Sequence, residues 1–349
     1  MGLAMYASSK AACAYCTAHT CSFALRRGAR VEAITGLRTP KEDAVVRLAE
    51  RLAQIPSTLT ADDMEAVKPY FSAKEIEWLV FSISMMGFLN KFMNAIGVEL
   101  EQDAINDTAE LLVTTGWQPG IHSQSGYKTT NSALPPKDNL MTYLRVIRQA
   151  PGAVLWEKKW TGGVPGNYPS AARYLEKHTG YSFPILAPVK EPRVIRTLTT
   201  VLRDNLDKQL TVTGLRVKMY AGYIFSVMAS NDRLKPEIEN AAAALSPQMD
   251  GEMRNRLQAI AQTEVPTDGA AGREFIAAWQ QLGLTEEESA ALLLAVAASY
   301  SPSQINSAVI ETTMMHLKPT AVVETAVWLS VLQLLSRLSS YYSLVGSLG

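Results

Sequence analysis

The sequence predicts an all-α protein made of two tandem helical domains, and three observations carry that expectation. No stretch alternates polar and apolar residues at period two for long enough to build a sheet, whereas runs rich in Ala, Leu and Met recur throughout. Thr39–Met93 matches Thr285–Ser339 without a gap at an offset of 246 residues. The match includes features other than hydrophobicity. Thr39 with Glu42 and Thr285 with Glu288 are both capping-box patterns, and Pro56-Ser57 meets Pro302-Ser303, each followed by a cap residue, Thr60 or Asn306. Lys91 meets Arg337 inside apolar surroundings that also correspond.

Taken in order, the first run, Ala4 to Leu25, has no Pro or Gly and reads as a single helix. Gly28 to Arg38 reads as a turn region, followed by helices over about 40–54, 61–69 and 73–96. Residues 116–137 are dense in turn formers and lack periodicity. Helices at about 138–149 and 168–178 then flank a loop from Trp160 to Pro169, with Trp156 and Trp160 read as core anchors. Helices resume at about 192–207 and 212–230 and continue through the second copy. The expected organisation is a domain over 1–115, a loop-rich connector over 116–189 and a second domain over 190–349.

A second offset, 212 residues, places Gly2-Leu3 on Gly214-Leu215. It puts Phe225, Met228 and Asn231 where Cys13, Cys16 and His19 stand, so chemistry is expected in the first domain alone. The difference between the two offsets implies an insertion somewhere in about 232–284. The second copy has a helix before its Gly214 run; in the first copy nothing precedes Met1, so that place is expected to be missing or filled by another segment.

Composition narrows the function. Lys+Arg and Asp+Glu balance at 33 each, so no basic excess exists to hold a nucleic-acid backbone. The N-terminus lacks a charged segment followed by an apolar core, and apolar runs such as 290–299 and 326–335 are too short to span a bilayer. A soluble cytoplasmic protein, without nucleic acid or membrane as partner, is expected; cysteines gathered at one motif suit a reducing compartment.

That motif is Cys13-Ala-Tyr-Cys16-Thr-Ala-His19-Thr-Cys21, which holds all three cysteines and one of four histidines. On a helix, Cys13 and Cys16 share a face about one turn apart, close enough for a disulfide, and His19 lies a further turn along beside Cys16. Thiol, thiol and imidazole provide what thiol–disulfide or peroxide chemistry needs. Haem attachment needs His directly after the second Cys, where Thr17 stands. Zinc is disfavoured because Cys21 is turned roughly 80° from Cys13 along the helix. Small cysteines filling a helix interface remain the alternative.

These residues resemble the signature of the alkylhydroperoxidase D-like proteins in the carboxymuconolactone decarboxylase superfamily. A later segment, Phe71-Ser-Ala-Lys-Glu-Ile-Glu-Trp-Leu to Asn90-Lys91-Phe92, is similar to the family helix that ends in Asn-Arg. The resemblance spans roughly residues 2 to 100. It implies a helical-bundle fold, homo-oligomers and a thiol-dependent oxidoreductase that cycles a Cys13–Cys16 disulfide. It further implies a hydroperoxide or disulfide substrate, an external dithiol as reductant and no bound cofactor or metal. Two positions depart from the pattern: Thr20 stands where the family's relay imidazole falls, and no acid precedes Cys13. A non-redox enzyme working by proton transfer, as the superfamily's decarboxylase does, and a vestigial binding or assembly protein are the alternatives.

Proximity to His19 assigns Cys16 as nucleophile, Cys13 as resolving thiol and His19 as relay, through Thr20 or a water. A helix that begins near Ala4 leaves Cys13 more than two turns inside it, beyond the reach of the N-terminal dipole. Cys21 is expected to be dispensable. Among the other candidates, His122 could line a pocket but reads more readily as a hydrated loop residue, His178 reads as a helix-end residue and His316 as a packing position. Asn90 and Asn94 share a helix face that the family pattern sets near the thiols.

Overall fold

The structure, a computed structural model, describes residues 1–123, 134–246 and 249–347, and every regular element among them is helical. The first half contains α1 (Gly2–Lys10), α2 (Ala14–Arg26), α3 (Val31–Thr35), α4 (Pro40–Ala53), α5 (Ala61–Val67), α6 (Ala73–Ile96) and α7 (Gln102–Val113). The middle contains α8 (Leu140–Trp160), α9 (Tyr168–Thr179) and α10 (Pro192–Leu206). The remainder contains α11 (Gly214–Ala229), α12 (Leu234–Leu245), α13 (Gly251–Ala261), α14 (Gly269–Gln280), α15 (Glu286–Ser299), α16 (Ser307–His316) and α17 (Pro319–Ser347). The part of the turn-rich reading that falls on 124–133 lies outside the described residues.

The repeated segment folds the same way twice. α15, α16 and α17 begin at the offset of 246 residues from α4, α5 and α6. Thr39 and Thr285 both close capping boxes with their glutamates, Thr60 does so with Asp63, and Asn306 caps α16 by accepting from the Val309 N–H at 3.0 Å. Each such cap contributes about 1 kcal/mol. The turn after each first helix is also bonded alike: the Thr58 N–H donates to the Arg51 carbonyl at 3.2 Å and the Gln304 N–H to the Ala297 carbonyl at 2.9 Å. Pro56 and Pro302 both follow cis peptide bonds. Between 232 and 284 the second half carries α12 to α14, where the corresponding part of the first half has only α3.

α6 and α17 form the most extensive helix pair and run through the centre of the molecule. Both are long and apolar enough to cross a bilayer, unlike the shorter runs counted in the sequence, and both are packed within this fold, with 56% and 78% of their apolar windows buried. Gly87 allows the approach, since a Cβ there would lie 2.7 Å from Arg337 Nε. The repeat-related cations, Lys91 and Arg337, are buried and, among the described residues, pair with no carboxylate. Lys91 donates to the carbonyls of Ala298 and Tyr300 at the end of α15. Arg337 donates to Ser8 Oγ and the Ile83 carbonyl at 2.7 Å, and to the Ala53 carbonyl at the end of α4 at 3.4 Å. Each cation thus meets the C-terminal carbonyls of a helix in the other half, where the helix dipole is negative. Burial pulls Lys91 down to about 7 and Arg337 to about 9.

Three local readings are corrected. The Ala4–Leu25 run is two helices, not one: α1 ends at Lys10 and α2 begins at Ala14. Tertiary bonds claim the intervening carbonyls, with Asn94 Nδ2 donating to the Ala12 carbonyl at 2.8 Å, the acceptor a continuous helix would offer to the Cys16 N–H. Gly28–Arg38 contains the short α3. α8 runs on through Pro151 to Trp160, and Trp156 is no core anchor, being 65% exposed.

Candidate active site

The break after α1 creates the site. Cys13 is the N-cap of α2, with extended backbone, and its sulfur accepts the Cys16 N–H at 3.4 Å. The earlier expectation of a thiol deep inside a helix is therefore reversed: Cys13 sits where unpaired N–H groups and the positive end of the dipole favour a thiolate. Cys13 and Cys16 are each 4% exposed and pack with Met86, under Met5, Leu89, Met93 and Tyr15.

The imidazole at the thiols is His122. Its Nε2 lies 3.8 Å from Cys13 Sγ and 3.1 Å from Asn94 Oδ1, and its Nδ1 lies 2.6 Å from the Val98 carbonyl. Because Asn94 Nδ2 already donates to Ala12, its Oδ1 must face the ring as an acceptor. Both ring nitrogens then point at acceptors, and only the imidazolium can donate from both. Burial pulls the His122 pKa down, but Cys13 and the Val98 carbonyl outweigh it, and the net shift is upward. Cys13 is drawn down to about 5, chiefly by the hydrogen bond from Cys16, then by His122 and the Cys16 N–H, against burial. Cys16, donating to Cys13 and buried beside it, is pushed up. Cys13 and His122 form a buried pair in which the hydrogen bonds favour the thiolate and the imidazolium.

His19 lies elsewhere. Its Nε2 is 2.9 Å from Glu101 Oε2, on a rim where the two side chains are 42% and 55% exposed. Glu101, at the start of α7, also accepts the Tyr15 hydroxyl at 3.0 Å through Oε1. Tyr15 stands between the two histidines, its ring 4.5 Å from that of His19 and 5.7 Å from that of His122. Thr20 donates its hydroxyl to the Cys16 carbonyl at 2.6 Å, a local helix bond.

Cys21 belongs to a different cluster, with Tyr6, Ile34, Leu100 and Trp117, and burial raises it to about 12. Among the described residues, no three His, Cys, Asp or Glu side chains are gathered to hold a metal. At the corresponding place in the second half, α11 is continuous, Phe225 is buried, and Asn231 lies in the turn before α12, where it accepts the Leu234 N–H at 2.9 Å. His316 pairs with Glu286 at 3.2 Å, and His178 stacks on Tyr174.

His122, read from sequence as a hydrated loop residue, is 1% exposed and is the thiol partner. No spacing rule could have found it, since 109 residues separate it from Cys13. The scarcity of histidine was the only signal.

Fold and site together define an all-helical protein with a buried cysteine–histidine pair at a helix N-terminus. Compared with family models, with curated proteins and with solved structures, the chain returned no match.

Proposed function

We propose that this protein is a thiol-dependent oxidoreductase of two tandem alkylhydroperoxidase D-like domains, which reduces an organic hydroperoxide or a disulfide through a Cys13–Cys16 disulfide. The observation that carries the reading is the N-cap position of Cys13 with His122 beside it, because a lowered thiol pKa next to a second thiol is what such a cycle needs. The sequence resemblance supports the same chemistry.

The geometry favours Cys13 over Cys16 as nucleophile. The Cys13 thiolate attacks the terminal oxygen of the hydroperoxide; an S–O bond forms, the O–O bond breaks, and the alkoxide takes a proton from His122. The Cys16 sulfur then attacks the Cys13 sulfenic acid, forming the disulfide, and hydroxide leaves as water with the Cys16 proton. An external dithiol supplies two electrons to restore both thiols. The methionine lining of Met5, Met86 and Met93 suits an apolar substrate. The second half, with Phe225, Met228 and Asn231 in the corresponding positions, provides scaffold.

Single Ser variants treated with one equivalent of organic hydroperoxide and read by intact mass test this assignment. Cys16→Ser should trap Cys13 as sulfenic acid, and Cys13→Ser should leave Cys16 unmodified. Oxidation of Cys16 in the Cys13→Ser variant, with Cys13 inert in Cys16→Ser, would return the nucleophile to Cys16. Absence of oxidation in both variants and in wild type would end the redox reading.

A further inference from the structure

α8 is a helix of 21 residues in which no side chain is buried. It is fastened at its two ends. The Asp138 N–H donates to the Arg26 carbonyl, and Asp138 pairs with Arg27 at 3.0 Å. At the other end Trp160 Nε1 donates to Asp204 at 3.0 Å and Arg193 donates to Glu157 at 2.8 Å. Between these ties the helix exposes Leu140, Tyr143, Leu144, Ile147, Val154 and Leu155, and with them Met141, Val146 and Trp156, at 45% to 73% of their surface.

At ~100° per residue the first six fall within an arc of roughly 120° that also holds Lys158; Met141 and Trp156 lie beyond it among Arg148, Lys159 and Arg145 on one flank, and Val146 lies beyond the other. The segment's two carboxylates, Asp138 and Glu157, are both taken by arginines of the body. Among the described residues Arg145, Arg148, Lys158 and Lys159 stand in no ion pair, so the face offers apolar surface and positive charge only. The chain as a whole is neutral, so this is a local concentration of charge.

Charge selects the occupant. Pairing two copies through α8 sets Arg145 and Arg148 against Lys158 and Lys159 if antiparallel, or each against itself if parallel; both arrangements oppose like charges. An anionic phospholipid surface offers apolar depth for the stripe and negative headgroups for its flank. We propose that α8 seats the protein on an anionic lipid bilayer, lying in the plane of the interface.

Co-sedimentation with vesicles of phosphatidylcholine alone, and of phosphatidylcholine mixed with phosphatidylglycerol, tests it on the full chain. Wild type should bind the mixed vesicles and not the neutral ones, and rising salt should release it. The double variants Ile147→Glu/Leu155→Glu and Arg145→Glu/Arg148→Glu should each lower binding by about tenfold or more. Their circular dichroism and melting should match wild type, since the replaced side chains touch no core. Failure to bind mixed vesicles, equal binding to neutral ones, or unchanged binding by both variants would overturn the proposal. So would a lipid-free dimer, seen by light scattering, that the Ile147→Glu/Leu155→Glu variant dissolves, since that would give the face to a second copy.

Discussion

Replacing His122 by Asn isolates the contribution of the imidazolium. Asn can still donate to the Val98 carbonyl from near the position of Nδ1, but it removes the charge and the group 3.8 Å from Cys13 Sγ. Cys13 stands at about 5 against an ordinary thiol value of 9.0, a difference of four units. At ~1.36 kcal/mol per unit this is about 5 kcal/mol of bias toward the thiolate. The Cys16 hydrogen bond supplies the largest share, followed by His122 and the Cys16 N–H, with burial opposing all three. Loss of His122 should therefore raise Cys13, and each unit of rise lowers the thiolate population about tenfold at any pH below the midpoint. The assay is the pH dependence of iodoacetamide alkylation, read at the Cys13 peptide by mass spectrometry. In wild type the rate should climb as pH rises through about 5 and then level; in His122→Asn the whole curve should move to higher pH. A wild-type midpoint near 9, or an unchanged midpoint in the variant, would refute the thiolate–imidazolium pair.

Other expectations follow from the buried charges and from the helix contacts. Glu237, 6% exposed, is raised to about 7 by burial, so the folded state holds its proton more tightly than the unfolded chain and stability falls as pH rises from 4.5 through 7. Glu237→Gln should flatten that slope in thermal melts and gain about 1 kcal/mol or more at pH 8 relative to wild type. Lys91 has the opposite sense: its folded value near 7 lies below the ordinary 10.5, so its contribution is lost as pH falls through that interval, and Lys91→Met should remove the rise in stability between pH 7 and 10.5. Gly87→Ala should cost about 1–3 kcal/mol in urea unfolding, because the new Cβ would meet Arg337 at 2.7 Å between α6 and α17. His19→Ala should leave the Cys13 alkylation profile in place, since His19 bonds to Glu101 on an exposed rim; a shift as large as that of His122→Asn would assign the proton to the wrong histidine.

The sequence by itself determined what depends on near neighbours. Thr39 with Glu42, Thr285 with Glu288 and the prolines at 56 and 302 act within a few residues, so the starts of α4, α5 and α6 and of their copies were legible, as was the all-helical class. The Cys13–Cys16 pair was legible as chemistry because its members are three residues apart. The break between α1 and α2 was not. Local propensity in an Ala-rich run favours one helix, and the interruption depends on Asn94 reaching the Ala12 carbonyl from 82 residues away. That bond lies at the exposed N-terminus of α2 at Cys13, and the same amide faces His122 with its oxygen. The largest cause of the lowered Cys13 pKa, the hydrogen bond from Cys16, is local. The N-cap position of Cys13, His122 at 109 residues from it and Glu101 at 86 from Tyr15 are long-range, and tertiary structure alone placed them.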